Sequence, residues 1–190
     1  FPRRAEIAEF LVDYYGNNSL LVSATGKTSR ELAAISDSEQ AENAFLCIGG
    51  MGHTVSVALG LALANPDQRV ICIDGDGSFQ MHMGAASLVA GQRPGNLLHL
   101  VVNNGVHDSV GGQPTANPEL CYSELAHGLG YSSSKRVDSI ESLRKHLIAI
   151  EGELGPHFIE VLSTPGSRAD LGRPKRTPQQ RMELFSVHGN

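Results

Sequence analysis

Val70-Ile71-Cys72-Ile73-Asp74-Gly75-Asp76-Gly77-Ser78 is the stretch on which the fold of this chain turns. Its apolar, β-branched start suits a strand buried in a parallel sheet, and Gly75-Asp76-Gly77 ends that strand abruptly. A polar loop therefore stands at the carboxyl end of a strand, the edge where ligands bind in open α/β sheets. Gly77 and Ser78 open a helix-like stretch, so their N–H groups can face an anion. The next strand-like run, 97–102, closes on Asn103-Asn104-Gly105.

The two loops supply oxygen ligands for a hard cation beside glycines that can approach phosphate. Mg²⁺ takes about six oxygens at roughly 2.0–2.1 Å and is usually held by one or two carboxylates plus substrate phosphates. Asp76 and the side-chain carbonyl of Asn104 fit that demand. Taken singly, Gly-Asp-Gly and Asn-Asn-Gly also fit ordinary turns, where Asp, Asn and Gly dominate for conformational reasons. Their occurrence at the ends of successive strands favours the ligand reading.

Upstream, Phe45-Leu46-Cys47-Ile48 is followed by Gly49-Gly50-Met51-Gly52-His53 and an apolar helix-like stretch over 55–64. Gly50-x-Gly52 between strand and helix partly matches the dinucleotide fingerprint. Val55 stands where its third glycine belongs, and no acidic residue other than Asp74 or Asp76 ends a second strand at the expected interval. A nicotinamide enzyme is disfavoured on both counts.

The pairing of Gly75-Asp76-Gly77 with Asn103-Asn104 resembles the thiamin-diphosphate (ThDP) motif. The resemblance implies that Asp76 and Asn104 are side-chain ligands of Mg²⁺, with the backbone carbonyl of Val106 as a third. The Gly49–Gly52 turn is similar to the pyrimidine-binding turn of ThDP-dependent decarboxylases. By that similarity the Gly49 carbonyl accepts from the cofactor's amino group, Gly50 belongs to the same turn, and Met51 is the wedge that bends the cofactor. The other reading of Met51 is a core thioether filling a gap. Asn103-Asn104-Gly105-Val106-His107-Asp108-Ser109-Val110-Gly111-Gly112-Gln113-Pro114-Thr115 is similar to the phosphonopyruvate and sulfopyruvate decarboxylases. Thr25-Gly26-Lys27-Thr28-Ser29-Arg30-Glu31-Leu32 and Ser167-Arg168-Ala169-Asp170-Leu171-Gly172-Arg173-Pro174 look like the phosphonopyruvate member.

The resemblance implies an enzyme that decarboxylates a 2-oxoacid, 3-phosphonopyruvate above all, with phosphonoacetaldehyde and carbon dioxide as products. Sulfopyruvate decarboxylation and acetolactate-type carboligation are the nearest alternatives, and a catalytically silent ThDP-binding module is an alternative of another class. Enzymes of this type use two α/β domains, one for diphosphate and Mg²⁺ and one supplying a glutamate to the pyrimidine ring. This chain matches only the first, so a pyrimidine-binding partner half and a dimer or tetramer of such pairs are expected. Glu31, Glu119 and Glu124 read as surface residues of helices or loops.

Thr25, Gly26, Lys27 and Thr28 follow a strand-like run and precede a helix, which puts their donors at the same ligand edge as Gly77. Lys27 reads as a contact to diphosphate or substrate, or as a solvated loop lysine. Thr28 or Ser29 also reads as the N-cap of a helix through residue 35. His53 and His107 follow the two motifs and are the candidate proton carriers, since imidazole exchanges protons near neutral pH. The alternative for each is a structural histidine. Arg168, Arg173, Lys175 and Arg176 form a basic cluster that reads best as a solvated extended segment, with a contact to the substrate anion as the alternative.

Alternating elements predict an α/β fold with a doubly wound, mainly parallel six-stranded sheet. Strands are expected over 20–23, 45–48, 70–74, 97–102, 133–137 and 158–162. Helices are expected over 3–15, 52–64, 78–90, 122–128 and 140–153. One domain over 1–166 and an extended tail over 167–190 follow. The 190 residues with 41% hydrophobic content can bury one sizeable core. The net charge of −5 argues against a nucleic-acid partner. No apolar run approaches the roughly twenty residues that cross a bilayer, and the start is not signal-like. Cys47, Cys72 and Cys121 lack metal spacing and read as small hydrophobes in a reducing, cytoplasmic setting.

Overall fold

The computed structural model describes residues 1–36 and 42–188. In chain order the elements are α1 (Arg4–Tyr15), β1 (Ser19–Ser23), α2 (Lys27–Ser36), β2 (Ala44–Leu46), α3 (Thr54–Ala64), β3 (Arg69–Gly75), α4 (Asp76–Met81) and α5 (Ala85–Gln92). They continue with β4 (Leu97–Asn103), β5 (Val106–His107), β6 (Gln113–Pro114), α6 (Tyr122–Leu129), β7 (Ser133–Val137), α7 (Ile140–Ala149), β8 (His157–Leu162) and α8 (Pro178–His188).

Six strands form one sheet in the order β2-β1-β3-β4-β8-β7, and every pairing in it is parallel. Side chains alternate between its faces, as the period of two requires. Ile71, Ile73, Leu98 and Leu100 face a core closed by α1, α2 and α7, while Val70, Cys72, Leu97 and Val101 face one closed by α3, α4, α5, α6 and α8. The sheet is doubly wound, as expected. The chain leaves β1 toward β2 and then crosses to β3 on the other side, so the order reverses between β1 and β3. A crevice at the carboxyl ends of strands opens at such a reversal.

Several elements differ from the sequence expectation. The helix expected over 78–90 is two helices, because His82 leaves helical geometry and i→i+3 turns through Met83 and Gly84 join α4 to α5. A glycine there makes such a break inexpensive. The helix expected over 140–153 ends at Ala149, ahead of Gly152 in the left-handed region. The tail, expected as extended throughout 167–190, carries α8. Its start has a sequence reason: the Thr177 hydroxyl accepts from Gln180 N at 3.2 Å while Thr177 N donates to Gln180 Oε1 at 2.9 Å. That reciprocal cap, with Pro178 as the first helical residue, begins a helix that seats Phe185 on Phe45 of β2, ring centroids 5.6 Å apart. The short antiparallel pair β5–β6, turning through Gly111 and Gly112 at positive φ, was also unforeseen.

No helix among the described residues is long and apolar enough to cross a membrane. The cysteines are free, with Cys47 and Cys72 buried. Glu119 and Glu124 are exposed, but Glu31 is buried, a correction to its surface reading. Its carboxylate lies 3.6 Å from Arg168 Nε, and burial pushes its pKa up against that charge. Arg168 and Arg176 of the basic cluster make ion pairs, with Glu31 and Glu42 respectively.

Candidate functional site

A small cleft of about 50 Å³ opens at the carboxyl ends of β1, β3 and β4. Thr25 lines it from the loop after β1, Lys27 and Thr28 from the first turn of α2, and Gly75, Asp76, Gly77 and Ser78 from the β3–α4 junction. Asn104, Val106 and His107 line it from the loop after β4, and Met51 reaches it from the turn after β2. Gly26, at φ +105°, packs beside it, where an added Cβ would meet Ser109 Oγ at 3.6 Å. Sequence positions as far apart as Thr25 and His107 therefore meet in one place.

Asp76 is the centre of this arrangement. Its carboxylate accepts from Gly77 N at 2.9 Å through Oδ1 and from Gly105 N at 2.6 Å through Oδ2, which clamps the β3 loop to the β4 loop. Burial raises its pKa, opposed by these amide bonds. No lysine or arginine among the described residues pairs with it. A buried carboxylate with no cationic side chain paired to it is an environment in which a bound cation is favourable. Asn104 sits on the same clamp, its Oδ1 accepting from Val106 N at 3.1 Å. An acidic oxygen and amide carbonyl oxygens are the donor set of a hard cation.

Gly77 serves by lacking a side chain. A Cβ there would fall 2.4 Å from Cε1 and Nδ1 of His107, so the imidazole lies directly over the glycine. The turn after β2 is stitched to the neighbouring loops: Gly49 N donates to Thr25 Oγ1 at 3.3 Å, and Gly52 N to Ser78 Oγ at 3.0 Å. Gly49 and Gly52, at φ +80° and +86°, use a conformation that favours glycine. Gly50 closes against Cys47, whose Sγ donates to its carbonyl at 3.5 Å.

His53 stands outside the residues that line the cleft, at an exposed rim. Its Nδ1 is 3.3 Å from Nδ1 of His82, the rings meeting edge to face. Thr28 and Ser29 lie in the first turn of α2 rather than ahead of it, and Ser29 Oγ donates to the Gly26 carbonyl at 3.0 Å.

Three residues bearing on the site were not singled out from the sequence. Arg4 lines the cleft from the first turn of α1 and ion-pairs with Asp108, which lines it as well. Glu160 of β8 is fully buried and binds the motif from behind. It accepts from Asn103 Nδ2 at 2.7 Å, from Ser123 N at 3.1 Å and from Arg136 Nε and Nη2 at 2.9 Å each. Asn103 Oδ1 in turn accepts from Gly105 N at 3.2 Å, the amide that also binds Asp76. A lone glutamate in an otherwise apolar strand was the available signal for Glu160; Arg4 left none.

Residues 24–161 match the family described as thiamine pyrophosphate enzyme, C-terminal TPP binding domain. A phosphonopyruvate decarboxylase of Streptomyces hygroscopicus is 40% identical over 184 residues, 97% of this chain and 45% of that protein. The sulfopyruvate decarboxylase subunit beta of Methanocaldococcus jannaschii is 34% identical over 146 residues, 76% of this chain and 75% of the relative. The chain thus spans about half the length of the phosphonopyruvate decarboxylase it matches. The solved ThDP-dependent 4-hydroxybenzoylformate decarboxylase of Rhodococcus jostii superposes with a TM-score of 0.71 at 19% identity, over 87% of this chain and 33% of its own, which shows a shared fold. This chain belongs to the thiamine pyrophosphate enzyme family, as its C-terminal TPP binding domain.

Proposed function

We propose that the chain is the diphosphate- and Mg²⁺-binding half of a ThDP-dependent 2-oxoacid decarboxylase that converts 3-phosphonopyruvate to phosphonoacetaldehyde and carbon dioxide. The observation that carries the reading is the convergence of Asn104 and Val106 on Asp76, a buried carboxylate with which no lysine or arginine among the described residues pairs. The substrate is supported by the 40% identity, across nearly the whole chain, to a protein named phosphonopyruvate decarboxylase.

In this reading Asp76 and Asn104 hold Mg²⁺ with side-chain oxygens and Val106 with its backbone carbonyl. Thr25, Gly26, Lys27 and Thr28 face the diphosphate together with Gly75, Gly77 and Ser78, and bare glycine backbone allows its close approach. Gly49, Gly50 and Met51 orient the ring end. When bound, thiamin diphosphate supplies the electron sink for the pair released as carbon dioxide leaves. His107 in the cleft, and His53 through its contact with His82, are the groups that hold and pass a proton.

A partner half completes the site in this reading. Its support is the 45% coverage of the relative and the exposed apolar residues Ile48, Met81 and Val110, each within three residues of a residue that lines the cleft. A dimer or tetramer of such pairs, located in the cytoplasm, belongs to the same proposal. Sulfopyruvate is the second substrate reading, favoured by relatives named sulfopyruvate decarboxylase subunit beta, two of which are 34% and 38% identical to this chain.

The test is calorimetric titration of ThDP with Mg²⁺ into the chain co-expressed with a pyrimidine-binding half. Asp76→Ala serves as control, and product analysis on phosphonopyruvate and sulfopyruvate follows. Binding that Asp76→Ala abolishes, with carbon dioxide released from phosphonopyruvate, is expected. Turnover of sulfopyruvate alone selects the second substrate. Binding without turnover of any 2-oxoacid refutes the enzyme reading and leaves a silent cofactor-binding module.

A further inference from the structure

We propose that Asp108 is a positioning residue that fixes the amide of Asn104 with its oxygen, not its nitrogen, turned to the cation. The inference deepens the proposed function and rests on its reading of Asn104 as a ligand.

The argument begins with what an amide presents. Its oxygen binds a cation, whereas its NH₂ carries partial positive charge and repels one, and the two ends are nearly equal in shape. A ligand asparagine therefore needs neighbours that distinguish them. Asp108 Oδ2 accepts from Asn104 Nδ2 at 2.7 Å, and Val106 N donates to Asn104 Oδ1 at 3.1 Å. A carboxylate only accepts and a backbone N–H only donates, so rotating the amide by half a turn would set acceptor against acceptor and donor against donor. The oxygen keeps a second lone pair beyond the one that Val106 uses.

Asp108 is itself held from outside the motif. Arg4 Nη2 donates to its Oδ2, and Gly166 N donates to both oxygens at 3.1 Å. Arg4 Nη1 also donates to the Gly166 carbonyl at 3.4 Å. The side chains of Arg4 and Asp108 are only 7% and 11% exposed. The first helix and the segment after β8 thus lock a carboxylate whose remaining contact is the asparagine. A carboxylate needed only to join α1 to Gly166 would be satisfied by those two partners, and the bond to Asn104 is what the joining role leaves unexplained. Partners one shell out from a metal commonly set the orientation of its ligands.

The test uses Mn²⁺ as probe, its free concentration read by electron paramagnetic resonance with ThDP present in the assembled enzyme. The side-chain amide signals of Asn104 are followed by NMR in the full chain. Asp108→Leu, which removes the acceptor, is expected to weaken Mn²⁺ binding by about ten- to hundred-fold and to move the Asn104 NH₂ signals, whereas Asp108→Asn, whose amide oxygen still accepts, is expected to retain most of the affinity. Gly155→Ala, which crowds the Leu97 and Gly95 carbonyls away from the cleft, is expected to lower the unfolding temperature while keeping the Mn²⁺ affinity. Wild-type affinity in Asp108→Leu, or an equal loss in Gly155→Ala, would overturn the proposal, the second result assigning Asp108 a structural role alone. Asn104→Ala separates the two levels of inference. Unchanged Mn²⁺ binding in that variant removes the ligand reading itself, whereas weakened binding there beside unchanged binding in Asp108→Leu removes only the role of Asp108.

Discussion

Replacing Arg136 with leucine should cost the protein about 3 kcal/mol, at the lower end of the roughly 3–5 kcal/mol seen when a buried ion pair loses one member. The magnitude follows from what is left behind. Glu160 is fully buried, and Arg136 holds it through Nε and Nη2, both at 2.9 Å. Hydrogen bonds to charged groups contribute about 1.5–3 kcal/mol each, which would place two of them near the top of the range. Arg136 is 38% exposed, however, so water takes over part of its role when it is removed. Glu160 also retains Asn103 Nδ2 and Ser123 N. Both effects pull the expected loss downward. Urea unfolding at neutral pH is the assay, with an unchanged m-value as the sign that the denatured state is unaltered. A loss of about 3 kcal/mol corresponds to a fall of about 6–12 °C in melting temperature for a chain of this size. Removing both charges, as Arg136→Leu with Glu160→Leu, should cost less than the two single losses added together, because no uncompensated carboxylate remains. A loss below about 1 kcal/mol in Arg136→Leu would refute the reasoning, since it is the scale of an exposed ion pair.

Gly155→Ala should destabilise by about 1–3 kcal/mol, as overpacking does. Its Cβ would come within 2.8 Å of the Leu97 carbonyl oxygen and 3.1 Å of that of Gly95, both of them backbone; an unchanged melting temperature would mean that the loop moves aside freely. Stability should fall with acid because burial holds the imidazoles of His146 and His157 below their ordinary value of 6.5. The unfolded chain binds these protons more readily, so the contribution is present above about pH 6.5 and is lost as pH drops through the folded-state values. Urea midpoints between about pH 5 and pH 7.5 test this. Replacing His157, which bridges Ser133 Oγ at 2.7 Å and the Glu153 carbonyl at 3.2 Å, should flatten the slope, and an unaltered slope would remove its part in it.

The parallel sheet was legible because Val70–Ile73, 97–102 and 158–162 each carry the apolar run of a strand covered on both faces. The meeting of Asp76 and Asn104 in one cleft was legible because both stand at the ends of successive strands. Elements governed by small local energies were less so. The helix over 78–90 reads as continuous from its apolar spacing, and only the geometry at His82 and Gly84 divides it. α8 had a local signal, Thr177 three residues before Gln180, but the Arg, Pro and Gln around it outweighed that cap in reading the tail as extended. Glu31 was misread because a glutamate on a helix is ordinarily solvated, and only tertiary packing brings Arg168 over it. Arg4, Asp108 and Gly166 stand far apart in sequence, and no periodicity reports a carboxylate shared among them.

The bonds that knit the cleft share one property with a consequence for how it comes into being. Thr25 meets Gly49 across 24 residues, Gly52 meets Ser78 across 26, Asp76 meets Gly105 across 29, and Arg4 meets Asp108 across 104. Each closes a loop whose entropy must be surrendered before the contact gives anything back, and such contacts form late relative to local ones. No short fragment around Asp76 contains the whole cleft. Occupancy of the cleft is consequently a report on the completed sheet, and a ligand bound there draws the whole folding equilibrium of the domain toward the native state rather than ordering one loop.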